Sequence, residues 1–372
     1  MVLLLNNSEV EKLLKVDECL VALEQAYRDL SDGRAINRPR THTFTPTLKG
    51  GTYHLFKTIE GGSPRLGVFA LRINSELWGA PTAESRRVKK IPAVPDGRYA
   101  EFIMLFSVEN GQLLAILPDG HIQKMRVAMT HALAAKYLAR ADAEVLGLFG
   151  SGWQASAQAV VHSKVRNIRK VKVYSPNVEH RDRFAQRMRS LLTVDVETVS
   201  GPSELMKGSD IVVAATDSLT PVIRHDWIGP GMHLSSVRAW TEVEPEVLKR
   251  CHRVVVHNKT KALNYVCGEE IPKEMISSDG PRLETETCSQ LADVVGGKVP
   301  GRTDSQEITI FVDGDQAGGP GIGIQFAAVG WAVYQEAVKA GAGKELPLDW
   351  FLDREDHPYL ERAASGESRD RG

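Results

Sequence analysis

The segment Val145-Leu146-Gly147-Leu148-Phe149-Gly150-Ser151-Gly152-Trp153-Gln154-Ala155 limits what this chain can fold into more than any other. An apolar run ends in Gly-x-Gly-x-x-Ala, and a helical pattern over 156–165 follows. Strand, tight turn and helix N-terminus in this order form a site for a dinucleotide pyrophosphate. Gly150 lets the chain turn as it leaves the strand, and Gly152, lacking a Cβ, lets a phosphate approach the backbone. Ala155 is small enough for the helix to pack on the strand. Ser151, Trp153 and Gln154 complete the turn, whose N–H groups and helix dipole would face the phosphates.

The flanking pattern agrees. Strand-like runs at 171–175, 194–199, 211–216, 232–237 and 253–257 alternate with helical stretches, notably 179–192 and one near Val247. Such alternation predicts a parallel sheet covered on both faces. The first third reads differently. Strands are expected at 2–5, 52–59, 67–73, 102–108 and 112–117, the last two joined by a hairpin turn at Asn110-Gly111. A Ser8/Glu11 capping box and a cap at Asp17 would open two helices, Arg38-Pro39-Arg40-Thr41 would interrupt regular structure, and 77–98 would be a long loop. A helix is expected over 121–140 and another over 326–340, preceded by a strand at 309–312 and a glycine-rich loop at 318–323. The expected fold is therefore α/β: a Rossmann-type parallel sheet domain, 126–315, inserted in an α+β domain made of 1–125 plus 316–372. Two domains also suit 372 residues.

Net charge is −1, which leaves no basic excess to neutralise nucleic-acid phosphates. No apolar run is long enough to span a bilayer, so no membrane partner is expected. The four cysteines are far apart in sequence, which argues against a disulfide scaffold and for a cytoplasmic protein. The 11 histidines form no metal-ligand spacing, and no metal is expected; His252 and His257 read as structural.

Further marks are Phe56-Lys57, Met125-Arg126-Val127-Ala128, Ala132-Leu133-Ala134-Ala135-Lys136-Tyr137-Leu138-Ala139-Arg140, Gly231-Met232-His233, and Asp293-Val294-Val295 through Gly301-Arg302-Thr303. With the glycine motif, they make the chain resemble the ornithine cyclodeaminase/mu-crystallin family from about residue 3 to 340. The resemblance implies a homodimer whose discontinuous α+β domain binds substrate and makes the dimer interface. It also implies hydride transfer at the C–N bond of an amino or imino acid, as in an imine or ketimine reductase or an amino acid dehydrogenase. An edge or apolar face of the sheet with the Asn110-Gly111 hairpin would be covered in the dimer.

Arg126 matches the family's carboxylate-binding arginine, and a guanidinium fork holds a carboxylate better than an ammonium does. Arg40 matches a second arginine, with Arg38 one step away as the alternative. Lys57 matches the active-site lysine. In a strand it shares a face with Leu55 and Ile59, where burial would lower its pKa and suit it to proton transfer. The second strand of the parallel sheet ends in Ser175-Pro176-Asn177, without the carboxylate that usually meets the adenosine ribose. Ser175, Asn177 and Arg181 would then receive the 2′-phosphate of NADP(H), which is favoured over NAD(H); the alternative is a neutral pocket that also takes NAD(H). Thr216 and Val237 would border the cofactor at strand ends, whereas the loop at 318–323 reads as a connector. One departure matters. The family's cyclodeaminases carry a catalytic aspartate where this chain has Trp240, with Glu242 two residues on as a candidate substitute. This favours simple C–N hydride transfer over cyclisation with a recycled cofactor or a non-catalytic, crystallin-like binding role.

Overall fold

The computed structural model describes residues 1–80, 89–94, 97, 99–218, 220–268, 287–313 and 321–352. They build two sheets. In the first, Thr41–Pro46, Thr52–Ser63, Val68–Gly79, Ala100–Ser107 and Leu113–Pro118 run antiparallel in that order. Both chain ends join it: Val2–Leu4 lies parallel to Leu113–Pro118 and antiparallel to Lys344–Leu346. At the other edge Leu263–Val266 arrives from mid-chain and lies parallel to Thr41–Pro46.

Alternation decides which side chains of this sheet turn inward. In Val68–Gly79 the buried residues are Val68, Ala70, Arg72, Asn74 and Glu76. The helix Gly323–Ala340 covers this face with Phe326, Val329, Val333 and Ala337, and it shares one core with the helices Val16–Ser31 and Gly120–Leu138. The inner face thus changes from apolar to charged along a single strand.

The second sheet is parallel throughout. Its order is Asp195–Thr198, Lys170–Tyr174, Val145–Phe149, Ile211–Ala214, His233–Ser236, Thr309–Val312, Arg253–Val256, Ser289–Gln290. Period two feeds two cores: Ile211 and Val213 pack with the helices Trp153–Val165 and Val178–Leu191, and Val212 and Ala214 pack with Pro202–Met206 and Pro245–Arg250. The helix Gly120–Leu138 is buried almost all round because it serves both units. Met125, Ala128 and Met129 face the first core, while Val127 and Ala135 face the second.

Several expectations change. The strand at 67–73 runs on to Gly79, because Arg72, Asn74 and Glu76 keep the alternation without being apolar. It also pairs with Lys89–Ile91, so the expected loop at 77–98 contains strand at 77–79 and at 89–91. Thr41–Pro46 is a strand although Arg38–Thr41 reads as irregular. The first capping box is Asn6/Glu9, with Asn6 N donating to Glu9 Oε2 at 2.8 Å and Glu9 N to Asn6 Oδ1 at 3.0 Å. The second helix starts after Lys15 and has no side-chain cap, so Asp17 lies in its first turn. The Asn110-Gly111 hairpin forms, with Ser107 N donating to Gln112 O at 2.9 Å. Its strands are interior to the sheet, however, since Val2–Leu4 covers Leu113–Pro118. Among the described residues, the outer strands of the main path are Leu263–Val266 and Lys344–Leu346 instead. Among the described residues, no helix is long and apolar enough to cross a membrane.

Candidate active site

In the parallel sheet the strand order reverses between Val145–Phe149 and Ile211–Ala214, and ligands of open α/β sheets sit beyond the carboxyl ends of strands at such a point. Gly150 turns there with φ +105°, and a Cβ on it would fall 2.4 Å from Ala215 O. Only glycine fits that approach. Gly152 caps the helix Trp153–Val165, and a Cβ built on it would meet no atom within 4 Å. No side chain caps this helix, so its first N–H groups are left for an anion. Ala155 is buried beneath the turn, and Trp153 is half exposed above it. Ser151 and Gln154 are part-buried within it. The cradle fits a pyrophosphate.

At the end of the neighbouring strand, Asn177 is spent on capping, its Oδ1 accepting from His180 N at 2.9 Å. Arg181 folds back so that Nη1 donates to Ser175 O at 3.4 Å, which keeps Ser175 and Arg181 together beside the turn. Val237 is buried and continues the ladder, its N donating to Ala214 O at 3.0 Å.

The other half lies on the charged end of the first sheet. Lys57 stands opposite Asn74, on the inner face with Leu55 and Ile59. Its Nζ donates to Glu76 Oε2 at 2.9 Å and lies 5.0 Å from the centre of the Trp78 ring. Glu76 also accepts from Trp78 Nε1 at 2.7 Å and Asn74 Nδ2 at 2.9 Å, and pairs with Lys90 at 2.6 Å. Burial pushes the Lys57 ammonium down to about 8, against the opposing pull of Glu76. The Glu76 carboxyl is itself held low: burial would raise it, but Lys57 and Lys90 outweigh burial. This carboxylate was missed in the sequence. Its signal was Arg72-x-Asn74-x-Glu76-x-Trp78, polar residues at period two continuing an apolar strand face.

Arg126 is 1% exposed on the helix Gly120–Leu138. Its guanidinium lies 4.8 Å from the centre of the Phe326 ring, and Nη1 donates to Gln325 Oε1 at 3.2 Å. Burial lowers its pKa to about 10, with Asp119 and Asp313 opposing. Arg40 Nη2 donates to Gly321 O at 2.9 Å, and a Cβ on Gly321 (φ +119°) would sit 2.7 Å from Arg126 Nη1. The two guanidiniums therefore flank one glycine peptide. Arg38 instead pairs with Glu60 at the surface. His42, beside Thr41–Pro46's partner Lys57, is driven down to about 3 by burial, with Arg40 and Lys57 adding to the effect. Of the expected loop at 318–323, positions 318–320 lie outside the described residues.

The sequence profile of the ornithine cyclodeaminase/mu-crystallin family matches residues 2–341. The chain belongs to this family. Alanine dehydrogenase of Archaeoglobus fulgidus is 27% identical over 351 residues, covering 92% of this chain and 98% of that one. A Delta(1)-pyrroline-2-carboxylate reductase of Bacillus cereus is 26% identical over 301 residues, 77% of this chain and 88% of that one. The solved Thermococcus litoralis Delta(1)-pyrroline-2-carboxylate reductase, in complex with NADH and L-proline, superposes with a TM-score of 0.73 at 28% identity, covering 92% of this chain and 100% of that one.

For a member of the ornithine cyclodeaminase/mu-crystallin family, the surroundings of Glu242 are informative. Its side chain is buried. Thr216 N and Oγ1 donate to Oε1 at 2.7 and 2.8 Å, while Ser236 Oγ and Arg238 N donate to Oε2 at 2.8 and 2.9 Å. A carboxylate has about four acceptor sites, and all four are taken. Glu242 ties the ends of two strands together and has no lone pair left for a substrate amine. Thr216 is likewise held by this clamp, with its methyl carbon 3.6 Å from where a Cβ on Gly150 would lie. Elsewhere His225, Asp226 and Glu244 bring ligand atoms within 4.8 Å of one another, but His225 already donates from its backbone N to Glu244 at 3.0 Å, and Arg224 lies beside the same carboxylate. These residues form a surface ion-pair cluster.

Proposed function

We propose that this chain is an NAD(P)H-dependent reductase of imino acids, able in reverse to oxidise the corresponding amino acids. The observation that carries the reading is the pair of guanidiniums of Arg40 and Arg126 about Gly321, with Lys57, lowered to about 8 by burial, opposite His42, whose ring feels both Arg40 and Lys57. Arg126 and Arg40 bind the substrate carboxylate, and the glycine turn at Gly150–Ala155 binds the pyrophosphate. When bound, the nicotinamide supplies or accepts the hydride. In reduction the C=N carbon gains that hydride, Lys57 gives a proton to the nitrogen, and solvent reprotonates Lys57. Glu76 holds the Lys57 Nζ in place throughout. Relatives that match most of this chain carry names of the same reaction type, which supports the assignment.

NADPH is expected to serve better than NADH, because Ser175 and Arg181 offer a donor and a cation where a carboxylate would repel a 2′-phosphate. The test supplies cyclic imino acids, and keto acids with ammonia, under NADPH and under NADH, and follows cofactor absorbance. One cofactor oxidised per amine formed is expected, faster with NADPH. Ornithine with a trace of NAD should give no proline, since Trp240 cannot accept a proton and Glu242 is occupied. Many turnovers of proline and ammonia per cofactor would identify a cyclodeaminase; no oxidation with any substrate would leave a binding protein.

The same reading includes a homodimer. Leu263, Tyr265 and Val266 are 45%, 55% and 43% exposed on a strand that no other described strand pairs beyond Thr41–Pro46, an edge that a second copy would cover. Light scattering at micromolar concentration should give twice the 40.9 kDa chain mass; a monomer mass would refute the assembly.

A further inference from the structure

A chain of buried polar groups runs from Arg126 into the nucleotide sheet, and neither proposed half-site uses it. Gln325 Oε1 accepts from Arg126 Nη1 at 3.2 Å and from Ile322 N at 2.9 Å. Both partners are donors only, so the amide orientation is fixed and Nε2 faces the other way. From there Nε2 donates to Thr130 Oγ1 and, at 3.3 Å, to Tyr27 OH. Thr130 spends its own proton on Arg126 O at 2.9 Å. Tyr27 OH, already accepting, donates to His257 Nε2 at 2.6 Å. His257 Nδ1 therefore carries the ring proton and gives it to Asp313 Oδ1, also at 2.6 Å. The second oxygen of Asp313 lies 3.3 Å from His131 Nε2, whose Nδ1 is 2.6 Å from Ser235 Oγ. Tyr27, Gln325, Thr130, His131, His257 and Asp313 are all buried. Asp313 follows the strand Thr309–Val312 at its carboxyl end, in the sheet that carries the glycine turn.

From Arg126 through Gln325, Tyr27 and His257 to Asp313 the donors can all point one way, from a guanidinium at one end to a carboxylate at the other. Burial would raise the Asp313 carboxyl, but His257 and His131 outweigh burial and keep it ionised. An ionised carboxylate in a dry interior is retained at a cost; here Oδ1 of Asp313 accepts from His257, and Oδ2 faces His131 Nε2 at 3.3 Å.

We propose that Asp313, His257, Tyr27 and Gln325 are positioning residues that hold the Arg126 guanidinium in the orientation that receives the substrate carboxylate, fixing it to the cofactor-bearing sheet. The inference rests on the reading of Arg126 as the carboxylate anchor. Tyr27→Phe deletes one oxygen, breaks the chain in its middle and leaves the ring to fill the core. With the full-length enzyme and a cyclic imino acid, Tyr27→Phe should raise KM about tenfold while changing kcat and the KM for NADPH less than twofold. Asp313→Asn should do the same, and Asp313→Glu should restore part of the loss. Long-range proton–nitrogen spectra should show His257 protonated on Nδ1 in the parent protein and in no single tautomer in Tyr27→Phe. An unchanged KM with an unchanged His257 tautomer would overturn the inference. So would equal losses in kcat and in both KM values, the mark of a generally loosened core. Failure of the functional reading looks different: the parent enzyme then turns over no imino acid, while the His257 signal still reports on the chain of hydrogen bonds.

Discussion

Lys57→Met should lower kcat/KM for imine reduction by about 10²–10⁴, the usual contribution of a positioned proton donor. The side chain is inward-facing and 15% exposed, and methionine fills similar space. Glu76 keeps Asn74, Trp78 and Lys90 as partners, so no buried carboxylate is stranded. The pH profile gives a second readout. Burial lowers the Lys57 pKa from 10.5 to about 8. Below that value the ammonium is present and can donate, so reduction should be level there and fall as pH rises through it. Oxidation of the amino acid needs the neutral amine and should show the opposite limb, rising through the same range. Lys57→Arg preserves the charge but cannot release a proton near neutrality. It should be as slow as Lys57→Met and show neither limb. A fast Lys57→Arg variant with the parent profile would remove Lys57 from the proton path.

Arg126→Lys should raise KM for the imino acid roughly tenfold to a hundredfold, with a smaller change in kcat. A charge-assisted hydrogen bond is worth about 1.5–3 kcal/mol, and a lysine gives up one arm of the guanidinium fork. The loss falls mainly on binding because the carboxylate, although attached to the reacting carbon, keeps its full charge while the C=N bond is reduced and is therefore held about equally in ground and transition states. NADPH affinity, measured by calorimetry without substrate, should stay within twofold, since the glycine turn is built from other elements. An unchanged KM for the imino acid would mean that the carboxylate is bound elsewhere.

How much of this was legible in advance depended on the range of the forces involved. The parallel sheet declares itself locally, because each strand is a short apolar run and Gly150 and Gly152 mark the one turn where a ligand can approach. Period two also places Lys57 between Leu55 and Ile59, and the structure keeps them on one face, but its place in the site was suggested by the family resemblance and not by the spacing. Local reading failed where polar residues occupy an inward face. Asn74 and Glu76 lie past the strand expected at 67–73, and only Lys57 and Lys90 on neighbouring strands show why Glu76 can turn inward. Thr41–Pro46 was hidden by the preceding Arg38-Pro39-Arg40, although its threonines favour a strand, and Leu263–Val266 has no partner nearby in sequence. The bond between Tyr27 and His257 joins residues 230 positions apart. No periodicity reports such a contact; it exists only once both units are packed on the helix Gly120–Leu138.

Covering the first sheet with Gly323–Ala340 has a consequence for how the protein is made. The strands that carry Val68, Ala70, Ile103 and Leu105 leave the ribosome early, but the helix that shields them comes more than 200 residues later in the sequence. Lys344–Leu346, which closes the edge at Val2–Leu4, follows later still. Chains emerge at about 5–20 residues per second, so this apolar face stays bare for roughly ten seconds or more. Meanwhile every described strand of the nucleotide sheet is already out. The half that is numbered first is thus finished last, and its apolar face is most open to association while it waits for the helix Gly323–Ala340.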